Sequence, residues 1–182
     1  MHATPAIILK REDFRERDES IIFYTKYFGK LSVIAKGTRR IEAKLRGGLD
    51  TFNISDIIFV EGSKFPILTS VETHKRFSNI GRSTHAYKSS LSASEIIIDI
   101  FEERLPDLNI FSELCIFLEK LDKCVDAKDS WALLKNFQIK ILENQGYSFQ
   151  NSNDNPSSIE ELLVRAYEAN FNYKIHSWLP SF

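Results

Sequence analysis

Near residue 80 the chain changes its hydrophobic period, and this change limits the folds open to it. Before that point the signals are short β-branched and aromatic runs punctuated by Gly and Pro; after it, apolar residues recur three and four positions apart. Residues 6–9 form a compact apolar run. Residues 20–28 and 31–35 are two further strand-like runs, and Gly29-Lys30 between them suits a two-residue type II′ turn. Residues 54–61 and 67–75 complete the set, separated by the turn-forming stretch Gly62-Ser63-Lys64-Phe65-Pro66. Five short strands in about 75 residues predict a small barrel.

Past Gly81, the apolar positions Ala93, Ile96, Ile97, Ile100 and Phe101 follow one helical face, with Ser92 and Glu95 as a capping box or a start nearer His85. Pro106 precedes a second helix over 108–123, which carries Ile110, Phe111, Leu114, Phe117, Leu118 and Leu121. A third starts at an Asp129 cap and ends at Gly146, placed as a left-handed terminator. A fourth begins at Ser158, whose capping partner is Glu161, after the polar stretch QNSNDNPS at 150–157. The fold class expected is α+β: a five-stranded N-terminal barrel over 1–80 and an all-α helical domain over 81–182.

Charge is divided between the same halves. The net value of -1 combines fourteen Lys and Arg against ten Asp and Glu before residue 81 with ten against fifteen after it. The basic excess is concentrated in KGTRRIEAKLRGGL, residues 36–49, where Lys36, Arg39, Arg40, Lys44 and Arg46 face only Glu42. Arg presents a planar fork matched to phosphate oxygens and Lys a point charge, while glycines let a strand approach the backbone. Lys26 and Lys30 in the preceding hairpin extend the cationic strip if they face the same way. The other reading of such a cluster is a solvated face. Tyr24, Tyr27 and Phe28 could stack on bases or fill the barrel; strand alternation puts Tyr24 and Phe28 on one side and Tyr27 on the other.

Catalytic and metal-binding readings find little support. Asp13, Glu16, Asp18 and Glu19 are interleaved with Arg11, Arg15 and Arg17, a pattern of mutual neutralisation. His2, His74, His85 and His176 have no ligand spacing. Cys115 and Cys124, read as two positions on one helix, are too far apart for a disulfide and too few for a four-cysteine zinc site. No Walker loop or dinucleotide fingerprint is present, so no enzyme, metal or cofactor is expected. No apolar run approaches the ~18 residues of a membrane span and no signal peptide is evident, so a cytoplasmic protein is expected.

The order of these features resembles the RecO family of DNA repair and recombination mediators. The resemblance is carried by Ala6-Ile7-Ile8-Leu9 followed by Asp13-Phe14-Arg15-Glu16-Arg17-Asp18, by Gly29-Lys30-Leu31, and by Ala35-Lys36-Gly37-Thr38-Arg39-Arg40. It extends through Leu45 to Asn53 and more loosely to Tyr87, Glu95 and 172–177. It implies an N-terminal OB-fold that binds single-stranded DNA through the basic loop, with duplex DNA left open as a second ligand, and no catalytic centre. Strand annealing and assistance to recombinase loading on DNA coated by single-strand-binding protein would follow. The implied partners are a RecR-like mediator and the acidic, apolar-ended tail of single-strand-binding protein, for which Lys135 and Lys140 are the candidate contacts. Many family members carry a four-cysteine zinc module where this chain has only QNSNDNPS, so zinc is not implied here. The alternatives are a protein–protein adaptor, or an OB-fold RNA-binding factor without annealing activity.

Overall fold

The computed structural model describes residues 1–38 and 48–146. Five strands, β1 (His2–Asp13), β2 (Glu19–Thr25), β3 (Gly29–Ala35), β4 (Ile54–Val60) and β5 (Ile67–Lys75), precede a short 3-10 turn at Ile80–Arg82. Helices α1 (Thr84–Ile100), α2 (Leu108–Leu121) and α3 (Ala127–Asn144) follow. The strands close into a barrel in the order β1-β2-β3-β5-β4. All pairings are antiparallel except the short β3–β5 contact, Ile34 with Ile67 and Ala35 with Leu68. The expected α+β architecture is present. Among the described residues no helix is long and apolar enough to cross a membrane.

β1 is much longer than its apolar run because two neighbours share it. Its first half, His2 to Ile7, pairs with β4, and Ala6 to Asp13 pairs with β2 across a bulge near Leu9. The run at 6–9 is apolar on both faces for a related reason. Ala6 and Ile8 point into the barrel with Ile21, Phe23, Leu31, Val33, Ile57 and Phe59. Ile7 and Leu9 point outward into a second core with Tyr24 and the buried faces of all three helices. A strand covered on both sides cannot show the alternation of a half-exposed one. The change of period near residue 80 therefore marks a change of secondary structure, while the packing continues across it.

The hairpin turn lies earlier than expected. Thr25 pairs with Gly29, so the loop is Lys26-Tyr27-Phe28, and Gly29 closes it with φ of 62°. Strand alternation consequently stops at Thr25, and Tyr24 and Phe28 do not share a side. Tyr24 is fully buried against the helices, 5.8 Å from the Phe101 ring, whereas Phe28 packs with the barrel core beside His2 and Phe59. Burial pushes the Tyr24 phenol well above its usual range.

The helices begin at side-chain caps. Ser83 accepts from Ala86 N for α1, so the helix starts upstream of Ser92. Asp107, just after Pro106, accepts from Asn109 N and Ile110 N for α2, and Asp126, not Asp129, caps α3. Gly146 ends α3 with φ of 94°, as its place in the sequence predicts. The fourth helix expected from Ser158 lies outside the described residues. On α1 the buried positions include Ser89, Ser90, Ala93 and Ser94, small residues that allow close approach; Ser89 Oγ donates to Ser130 O on α3. α2 meets α3 through the stacked rings of Phe117 and Phe137 at 4.8 Å.

Polar contacts fasten this helical layer to the barrel. Asp122 Oδ1 accepts from Asn79 N and Ile80 N at 2.8 and 3.2 Å. Arg104, with φ of 63°, donates its backbone N–H to Lys30 O and its guanidinium to both oxygens of Glu61 at 3.1 and 2.8 Å. The backbone of Leu105 also presses on Gly29, where an added Cβ would sit 2.2 Å from Leu105 O.

Candidate nucleic-acid interface

Three connections of the barrel meet at one rim. In the β1–β2 turn, Phe14 N and Arg15 N both donate to Asp18 O at 3.1 and 3.3 Å, and the tight bend exposes Phe14. The β4–β5 connection folds closely at Gly62, where a Cβ would lie 2.2 Å from Phe65 O, and exposes Phe65. Pro66 O accepts from Ile34 N at 2.8 Å, tying that connection to the end of β3. The Phe14 and Phe65 rings then touch edge to face, centroids 5.9 Å apart at 78°. The Arg15 guanidinium lies 5.2 Å from the Phe14 centroid.

The basic stretch leaves and rejoins the barrel near the same rim. Gly37, at φ of 66°, donates its N–H to Asp18 Oδ1 at 2.9 Å, directly after the exposed Lys36; Thr38 is buried. On the return side, Leu49 O accepts from Arg11 Nη1 at 2.9 Å, and Arg11 Nη2 holds both carboxylate oxygens of Glu19 at 2.8 and 2.9 Å. The carboxylates of the first bend thus act structurally. Glu19 balances Arg11, and Asp18 fixes the backbone at the start of the basic stretch.

The predicted phosphate contacts are distributed unevenly over this geometry. Lys36 stands exposed at the rim. Arg39, Arg40, Lys44 and Arg46 lie outside the described residues, between the two tethered flanks. Lys26 is at the opposite end of the β2–β3 hairpin, its amine 5.4 Å from the Tyr27 ring centroid. Lys30 lies on the outward face of the hairpin and donates Nζ to Ile98 O, satisfying a carbonyl in the last turn of α1. Ser32, two residues on, donates to Glu103. This outward β2–β3 face is occupied by the helical layer, so the cationic strip does not continue along it.

The sequence points to Tyr24, Tyr27 and Phe28 as base-stacking candidates and misses Phe14 and Phe65. The available signal was an aromatic inside a polar, cation-bearing turn: Phe14 beside Arg15 and Phe65 beside Lys64.

In the helical layer, Lys135 is half-buried on α3, and Lys140 pairs with Glu113 at 2.5 Å across a groove of about 290 Å³ between α2 and α3. Ile116, Phe117, Lys120, Leu133 and Phe137 line that groove, which does not include Lys135. Cys115 is on α2, whereas Cys124 falls beyond its end, so the two do not share a helix. Both thiols are free, and burial pushes Cys115 up to about 11. Among the described residues no three His, Cys, Asp or Glu are grouped to hold a metal ion, and two cysteines do not fit a four-cysteine zinc module.

A closed five-stranded barrel of this order, with its β1–β2 and β4–β5 connections gathered at one rim, is an OB-fold, whose members bind oligomeric ligands through these loops. Residues 1–77 match the family model described as Recombination protein O N terminal. The N-terminal part of the chain is thus similar to the N-terminal domain of that family. It is 24% identical over 143 residues to a protein named DNA repair protein RecO from Alkaliphilus metalliredigens, covering 79% of this chain and 57% of the relative. Similar proteins of the same name occur in Clostridium novyi, 25% identical over 80% of this chain and 56% of the relative, and Dehalococcoides mccartyi strain 195, 28% identical over 79% and 56%. The chain therefore spans a little over half the length of these curated relatives.

Proposed function

We propose that this chain is a non-enzymatic DNA repair and recombination mediator that holds single-stranded DNA at the barrel rim. In this role it anneals complementary strands and assists recombinase loading on DNA coated by single-strand-binding protein. The observation that carries the reading is the tether from Gly37 N to Asp18 Oδ1, which starts the basic stretch beside Phe14, Arg15 and Phe65 in a RecO-type OB-fold. Phosphates would be met by Lys36, Arg39, Arg40, Lys44 and Arg46.

Fluorescence anisotropy with a labelled oligonucleotide over a salt series tests this directly. Neutralisation of about five phosphates gives a log–log slope of roughly -3.5, from ~0.7 per phosphate on single strands. Charge reversal at Arg39 and Arg40 should flatten the slope and slow annealing. A slope near zero, or no binding at low salt, sinks the proposal. Competition between DNA and RNA of one sequence distinguishes an RNA-binding factor, which would use the 2′-hydroxyl.

The α2–α3 groove supports a second, protein-binding role. Apolar walls at Ile116, Phe117 and Leu133, with Lys120 at the edge and Lys140 once released from Glu113, would take an acidic peptide ending in an apolar residue, such as the tail of single-strand-binding protein, against the cost of Glu113 and Glu143 in the same lining. Contact with a RecR-like partner is part of the same proposal, and co-sedimentation of the three proteins checks it.

A further inference from the structure

We propose that Phe14 and Phe65 form a stacking platform for unpaired bases, so that the rim grips bases as well as phosphates and thereby selects single strands. The inference rests on the DNA-binding reading above and adds to it the part of the ligand the rim touches.

The first support is exposure. Phe23, Tyr24 and Phe59 of the barrel are 0% exposed, whereas Phe14 and Phe65 are 38% and 47% exposed, each in a turn and each reaching the other across the rim. Neither ring completes a core: both are absent from the two buried clusters. Of the four faces of an edge-to-face pair, the contact between the rings takes one and Arg15 takes another on Phe14. The exposed part of each ring is what a flat partner would meet.

The second support is fixity. Phe65 sits in a connection closed tightly at Gly62 and bonded through Pro66 O to β3, and Phe14 sits in a turn closed by two bonds to Asp18 O. A platform held by backbone loses little freedom when a base arrives. The same Asp18 ties the turn to Gly37, so the rings and the start of the basic stretch are held in one arrangement.

The third support is charge. Arg15 lies against the Phe14 ring, Arg17 shares its turn, Lys64 precedes Phe65 and Lys36 follows β3, all four exposed, against exposed Asp13 and Glu16 beside Phe14. Aromatic rings bordered by cations complement a strand whose bases are free and whose backbone is anionic. In a duplex each base is covered above and below, so the rings have no face to meet.

The test compares a labelled 15-residue oligothymidylate with an abasic oligomer of the same length and charge, binding each to the full chain by anisotropy. Wild type should prefer the base-bearing oligomer by about 5- to 150-fold per base stacked, the range of measured base–aromatic stacking. Phe14→Ala and Phe65→Ala should remove most of that preference while leaving the salt slope unchanged, and Phe65→Trp should retain it and show fluorescence quenched by oligothymidylate. Equal wild-type affinity for the two oligomers, with a steep salt slope, overturns the platform and leaves the phosphate-binding reading standing. Retention of the preference in the alanine variants also overturns it. Failure of wild type to bind either oligomer overturns both.

Discussion

Arg11 on β1 reaches diagonally to Glu19 on β2 with two hydrogen bonds from Nη2 of 2.8 and 2.9 Å, and its Nη1 reaches Leu49 O at 2.9 Å. One side chain thus joins the first hairpin to the point where the chain returns from its basic stretch. Glu19 is 9% exposed, so its charge depends on Arg11 for compensation.

Arg11→Met leaves that carboxylate without its partner and should cost ~3 kcal/mol in urea unfolding, the scale for breaking a buried pair. The double variant Arg11→Met/Glu19→Leu removes both charges and should recover most of the loss. If the double variant is as unstable as the single, lost packing rather than an uncompensated charge governs the site.

Three glycines separate backbone strain from steric contact. Gly29 combines φ of 62° with a Cβ position 2.2 Å from Leu105 O; Gly146 has φ of 94° but open space; Gly81 has open space and no positive φ. Gly29→Ala should destabilise by more than ~2 kcal/mol and Gly146→Ala by ~1 kcal/mol. Gly81→Ala should stay within about 0.5 kcal/mol of wild type. Thermal or urea unfolding of the three variants checks the order.

Asp18 offers a test in which two effects oppose each other. Removing its charge from a cationic rim should tighten binding to a polyanion, whereas removing its bond to Gly37 N should release the start of the basic stretch. The tether outweighs the charge if Asp18→Ala weakens oligonucleotide binding about fivefold, equivalent to one hydrogen bond of ~1 kcal/mol. Asp18→Asn keeps an acceptor oxygen and should bind at least as tightly as wild type.

His74 on β5 and Asp56 on β4, whose direct cross-strand partner is Glu72, approach to 2.7 Å. The hydrogen bond to Asp56, aided by its charge, raises the imidazole above its usual 6.5. Because the folded value exceeds the unfolded one, the pair's stabilisation is fully present below pH ~6.5 and fades as pH rises through the folded value. NMR titration should find the His74 midpoint above 6.5 and return it toward that value in Asp56→Asn.

The alternation and punctuation of the first half expressed the barrel because most strands follow local rules. The β2–β3 turn was misplaced because Gly29 fits either the opening of a two-residue turn or the close of a three-residue one, and only the pairing of Thr25 with Gly29 decides between them. Lys30 looked like a free cation because nothing near it in sequence announces the Ile98 carbonyl it caps. Phe14 and Phe65 became neighbours through barrel closure, a long-range event with no local periodicity. Lys36 was legible as an exposed cation because it follows directly after β3, where the chain leaves the sheet.

The two-sided burial of β1 also governs how the protein can be divided. A fragment ending at residue 77, where the family match stops, would keep its barrel interior but uncover Ile7, Leu9 and Tyr24 as an oily stripe. The OB-fold here is not a detachable cassette. Grafted onto another protein without α1 to α3, it would need a substitute cover or would stick to itself.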